Sequence, residues 1–164
     1  MSAQSRRDLL KGGLGLIAGA MGIGAAAVPV AAASRTGAAT LALDGAGVVL
    51  RVQGGTNGHH PEAGDQLTIH GHVGRGGTFA STGTAIRVPS TGEIATLEQH
   101  LFALPEGTIS GAGRRTGASG EFAITGGTGR FTGARGSYIA HLSPDGLGGD
   151  GTAHFTFTFT TEER

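Results

Sequence analysis

The chain has 164 residues, no cysteine, one tyrosine, 33 glycines and equal numbers of basic and acidic residues, twelve of each. One domain fits that length once a leader is removed, and the missing cysteines exclude disulfides, zinc-thiolate centres and thiol nucleophiles together. Removing Arg6, Arg7, Lys11 and Asp8 with the leader leaves nine basic and eleven acidic residues and no lysine, which excludes a Schiff-base lysine and argues against a nucleic-acid partner.

Ser5-Arg6-Arg7-Asp8-Leu9-Leu10-Lys11 has the form of a twin-arginine export signature. A mildly apolar stretch rich in alanine and glycine follows from Gly12 to Val30. Ala31-Ala32-Ala33 then offers the small-x-small pattern of a signal-peptidase site. Residues 1–33 are therefore expected to be a signal peptide and 34–164 the exported domain, periplasmic or extracellular and with no stable membrane insertion after cleavage. An uncleaved membrane anchor is the alternative, since about 18 to 20 such residues can span a bilayer.

From Thr40 onward, glycines punctuate short runs in which apolar and polar residues alternate, the pattern of strands and turns. Eight strands are predicted: Thr40 to Val52, Gln66 to Val73, Thr78 to Val88, Ile94 to Ala103, Thr108 to Arg114, Glu121 to Thr125, Ala134 to Leu142 and Thr152 to Thr161. The first carries a break or bulge at Asp44-Gly45-Ala46-Gly47. Pro89-Ser90-Thr91-Gly92, Pro105-Glu106-Gly107, Gly126-Gly127-Thr128-Gly129 and Pro144-Asp145-Gly146 are turn chemistry, so the hairpins are antiparallel.

In the last segment Ala153, Phe155, Phe157 and Phe159 face one way and His154, Thr156, Thr158 and Thr160 the other. Seven phenylalanines and no tryptophan supply a two-sheet sandwich thinly. Closing the sheet on itself buries one face and removes exposed edges. The expected fold is all-β, an eight-stranded antiparallel up-and-down β-barrel. Its abundance of Ala, Gly and Thr points to an incompletely filled interior and a cavity.

Four groups of titratable side chains stand out along the strands. His59-His60-Pro61-Glu62 reads as a loop. His70 and His72 share a strand face, about 7 Å apart, and would hold a metal if a neighbouring strand added a third ligand. Solvent-facing histidines are the competing reading, and no metal is expected. Glu98 and His100 also share a face and would do general acid-base work if both pointed inward. Leu97 and Leu101 make the opposite face apolar, which favours Glu98 and His100 in water. Tyr138 shares a face with Ala134, Ala140 and Leu142 and is expected inside, where a phenol needs a hydrogen-bond partner.

The segment Phe122-Ala123-Ile124-Thr125-Gly126-Gly127-Thr128-Gly129-Arg130-Phe131-Thr132-Gly133-Ala134-Arg135-Gly136 strongly resembles the signature of the dirigent and allene oxide cyclase superfamily. Gly64 to Ile69, Leu101 to Ile109 and the closing Phe-Thr repeat are similar to its other segments, in the same order. The resemblance implies a barrel of the calycin or allene oxide cyclase type that steers a small apolar reactive intermediate into one cyclic or coupled product. It implies no cofactor, and assembly as a homotrimer or homodimer.

The resemblance also associates Arg135 with the cavity, against a plain surface arginine. Together with Glu98, His100 and Tyr138, which the strand faces single out, Arg135 makes up the candidate catalytic set. Asp44 is the nearest match to an acidic first-strand residue of the plant cyclases, although a turn role for it is favoured. Glycines of the motif are read as structural, with Phe131 plugging one barrel end. The alternative function is a non-catalytic barrel that binds a small hydrophobic ligand or serves a structural role.

Overall fold

A computed structural model describes residues 38–54, 61–143 and 148–161. The leader, His59-His60 and the Pro144-Asp145-Gly146 turn lie outside the described residues. Eight strands run in order: β1 (Ala39–Gln53), β2 (Gln66–Val73), β3 (Gly77–Arg87), β4 (Ile94–Leu104), β5 (Gly107–Thr116), β6 (Ser119–Gly127), β7 (Arg135–Leu142) and β8 (Gly148–Thr160). Each pairs antiparallel with the next, and β8 closes on β1, giving the barrel that the alternation predicts. Closure pairs every strand on both sides and leaves no free edge.

The pleat sets what enters the lumen, because successive side chains point to opposite faces. Along β8, Phe155 and Phe157 are wholly buried, and Ala153 and Phe159 nearly so. The register of β1 shifts between Ala46 and Val49, where Gly47 takes a φ of 63°. That bulge falls at the end of the expected Asp44 to Gly47 stretch, and β1 continues through Asp44 as strand.

Aromatic rings fill the middle of the lumen. Phe102 meets Phe155 and Phe157 at centroid distances of 4.9 and 5.1 Å, while Tyr138 stacks on Phe157 at 4.6 Å and on Phe122 at 5.1 Å. Each such side chain contributes roughly 2 to 3 kcal/mol on burial. An incompletely filled interior is therefore not found at this level. Open volume appears at the upper end, where the β2–β3 and β4–β5 turns and the β6–β7 connection lie. There a cavity of about 290 Å³ is floored in part by Phe131 and Phe159.

Phe131 sits in a single 3-10 turn, Gly129–Phe131, and packs edge-on to Phe159 at 6.0 Å. Gly129 has a φ of 60°, and a Cβ there would lie 2.3 Å from the Glu106 carbonyl oxygen. The motif is a tight upper-rim connection, as its glycines imply.

One strand inverts its sequence reading. Glu98 and His100 are 3% and 4% exposed, inside the barrel, whereas Leu97 and Leu101 are about half exposed outside. The reason is the neighbouring strands. Glu98 pairs with Gly83 and Gly113, and His100 with Ser81 and Gly111, so small residues flank the two large polar ones on the inner face. A Cβ at Gly83 would approach Glu98 Cγ to 2.7 Å.

Candidate functional site

The lower half of the lumen holds a polar cluster inside an apolar wall. Its centre is the Glu98 carboxylate on β4. Oε1 accepts from Arg115 Nε at 2.8 Å, from Arg115 Nη2 at 2.7 Å and from the Thr96 hydroxyl. Oε2 accepts from His100 Nε2 at 2.9 Å and from Ser81 Oγ at 3.4 Å. His100 Nδ1 lies 2.9 Å from the Tyr138 hydroxyl on β7.

Protonation states follow from these contacts. Burial works to raise the Glu98 pKa, but the His100, Arg115 and Thr96 contacts together outweigh it and bring it down to about 2. An ionised carboxylate only accepts, so His100 Nε2 carries the hydrogen. Burial lowers the His100 pKa against the pull of Glu98, leaving Nδ1 bare to accept from Tyr138. Burial, and then the Glu98 charge, pushes the Tyr138 phenol upward. The result is a directed chain in which Tyr138 donates to His100, His100 donates to Glu98, and Arg115 neutralises the carboxylate.

Packing fixes each member. The His100 ring lies 4.1 Å from Phe122 and edge-on to Phe79 at 5.2 Å. Tyr138 is held between Phe122 and Phe157, above the space left by Gly111, where a Cβ would sit 2.5 Å from the hydroxyl. Among the described residues no buried side-chain nitrogen or oxygen lacks a hydrogen-bond partner. The Arg115 side chain, 13% exposed, is the outermost member, and its Nη1 also donates to the Gly117 carbonyl at 2.7 Å. Three of its five N–H groups are used in this way, leaving roughly two for a ligand.

Three residues expected at a site thus meet: Glu98, His100 and Tyr138. Arg135 does not join them. It stands three positions before Tyr138 on the same strand, and alternation therefore turns it outward; it is exposed, and its Nη1 donates to the Ala134 carbonyl at 2.8 Å. Asp44 also faces outward, with Oδ1 2.7 Å from His154 Nδ1.

His70 and His72 project from the outer face of β2. Their cross-strand neighbours are Val49, Ala80, Ala46 and Thr78, none of them an imidazole or carboxylate. No cluster of three metal-ligating side chains occurs among the described residues.

The sequence reading missed Arg115, Thr96 and Ser81. A signal for Arg115 lies in β5, where Ile109, Gly111 and Gly113 set the inner face and Arg115 continues it by alternation. Ending that strand at Arg114 hid it.

No family model matches the chain, and no curated protein matches it. Solved structures do. A pterocarpan synthase dirigent protein is 21% identical with a TM-score of 0.59, over 78% of this chain and 97% of that one. The Diels Alderase AbmU from Streptomyces koyangensis is 18% identical with a TM-score of 0.58, over 80% of this chain and 72% of that one. A pyocyanin demethylase is 19% identical with a TM-score of 0.54, over 74% of this chain and all of that one. The barrel shares its fold with these proteins.

Proposed function

We propose that the chain is an exported dirigent-like or allene oxide cyclase-like barrel that guides cyclisation or coupling of a small apolar intermediate without a cofactor. The observation that carries this reading is the Tyr138–His100–Glu98–Arg115 chain set in an aromatic wall. The fold shared with a dirigent protein and a Diels Alderase supports it.

Confinement of a reactive molecule works by orientation and exclusion of water, and needs few catalytic groups. The free N–H groups of Arg115 would polarise a carbonyl or stabilise a developing oxyanion. Glu98 holds Arg115 in place and balances its charge. Behind the carboxylate, His100 donates to Glu98 and accepts from Tyr138, which keeps Glu98 ionised and Arg115 oriented toward the ligand.

The test incubates the protein with an organic extract of the cells that produce it and follows products by chiral liquid chromatography and mass spectrometry. A cyclised or coupled product enriched in one stereoisomer is expected, and Glu98→Gln should abolish the enrichment. An identical product profile with and without the protein would overturn the reading. Export is tested separately. Replacing Arg6 and Arg7 by lysine should retain the chain in the cytoplasm.

The packed middle of the lumen favours a second reading, a barrel that binds a small hydrophobic molecule, or supports structure, without transforming anything. Native mass spectrometry of the protein from its producer separates the two, since a carrier retains an unchanged metabolite.

A further inference from the structure

We infer that the upper mouth of the barrel is a second binding site, built for a small anionic amphiphile and separate from the buried polar chain. Its cavity of about 290 Å³ includes none of Glu98, His100 or Tyr138 in its lining. At about 30 Å³ for a water-sized share of liquid, that volume takes roughly ten non-hydrogen atoms.

The lining divides by chemistry. Leu43, Val73, Phe131 and Phe159 form a buried apolar floor, and Leu41 and Leu104 are half-buried walls. Arg75, Arg130 and Glu106 also line the cavity and are exposed at its rim. Among the described residues neither rim guanidinium meets a carboxylate within 4.0 Å, since the three ion pairs lie elsewhere. Among the described residues, Glu106 and the two arginines give the rim one net positive charge. An apolar floor beneath cations that no described carboxylate pairs recognises an apolar body with a single acidic head, and arginine pairs with a carboxylate through parallel hydrogen bonds.

The rim is also held in place before any ligand arrives, which lowers the cost of binding. The Arg130 amide donates to the Glu106 carbonyl at 2.9 Å, tying the 3-10 turn to the β4–β5 turn. Thr108 and Thr128 hydroxyls meet at 2.8 Å in the same corner. On the other side the Gly74 amide donates to the Asp44 carbonyl at 2.9 Å, which fixes the turn that carries Arg75.

The probe is octanoate, with 1-octanol as the neutral analogue of the same length. Calorimetric titration of the full chain should show saturable octanoate binding at one site, about tenfold tighter than 1-octanol. Arg75→Gln and Arg130→Gln should each weaken octanoate about tenfold and leave 1-octanol unchanged. Amide NMR shifts should move at Leu43, Val73 and Phe131 and stay still at Gly111 and Gly113. Leu104→Trp, which fills the cavity without touching the charges, should abolish both ligands. Absence of saturable octanoate binding, equal binding of the two probes, or shifts centred on Gly111 and Gly113 would each overturn the inference. None of these outcomes bears on product formation at Arg115, so the two sites fail or stand independently.

Discussion

The lower and upper halves of this barrel are built from the same alternating strands yet solve opposite problems. Below, Ser81, Thr96, Glu98, His100 and Arg115 place charge and hydroxyls inside, and every fully buried side-chain nitrogen and oxygen among them has a hydrogen-bond partner. Above, Phe131, Phe159, Leu43 and Val73 leave an apolar hollow whose charges, among the described residues, stand at the rim. The contrast teaches that a glycine-rich barrel wall can be spent in two ways. Glycine beside a large polar side chain makes room for a network, and small residues at a strand end leave room for a guest.

The sharpest way to break the comparison is Arg115→Met. It leaves the buried Glu98 carboxylate without its cation and should cost about 3 to 5 kcal/mol in urea unfolding. Adding Glu98→Gln should recover most of that loss, because the uncompensated charge disappears. If the double variant is no more stable than the single one, the lower half is not held by charge pairing. The counterpart above is Phe131→Ala, which enlarges an existing hollow and should cost about 3 kcal/mol, with no partner substitution that restores it.

Acid should act on the lower half through His100 and Glu98. The folded pKa of His100 is below its ordinary 6.5 and that of Glu98 falls from 4.5 to about 2, so both groups bind protons less readily folded than unfolded. Their stabilisation is present above the unfolded values and is lost as pH falls, first below 6.5 for His100 and then between 4.5 and about 2 for Glu98. Tyr138 has the opposite sign. Its folded pKa is raised above 10.0, so its contribution is full below that pH and is lost as pH rises toward the folded value. As the single tyrosine, it should show phenolate absorbance in alkali only as the barrel unfolds. Phenolate appearing near pH 10.0 in a still-folded chain would contradict the buried chain.

Asp44→Asn should do least. Its ion pair with His154 is on the outer wall, with the carboxylate side chain 91% exposed, and the change should stay within about 0.5 kcal/mol by thermal unfolding.

These contrasts also mark what was legible in the chain. Phe155, Phe157 and Phe159 announce both a strand and its inner face, because three phenylalanines in phase oppose only a histidine and threonines on the other face. Tyr138 was legible for the same reason, being in phase with Ala140 and Leu142. On β4 alternation fixes the phase but not which face is inner. Leu97 and Leu101 argue for one answer, while the glycines of β3 and β5, distant in sequence and adjacent in space, impose the other. Arg135 followed the motif resemblance rather than the pleat, and the pleat with Tyr138 turns it outward. Thr96 and Ser81 carry no pattern of their own and acquire meaning only through the register that brings them to Glu98.

Closure of the barrel has one more consequence. Ala39 pairs with Phe159 across the β1–β8 ladder, so the two ends of the sheet lie side by side at the upper rim. The fold can therefore be circularly permuted, with a short peptide joining those ends and new termini opened at the exposed Gly117 turn. Both Ala39 and Thr161 border the upper hollow. A joining peptide would cross its mouth and convert an open vestibule into a capped one, with the ladder of strands unchanged.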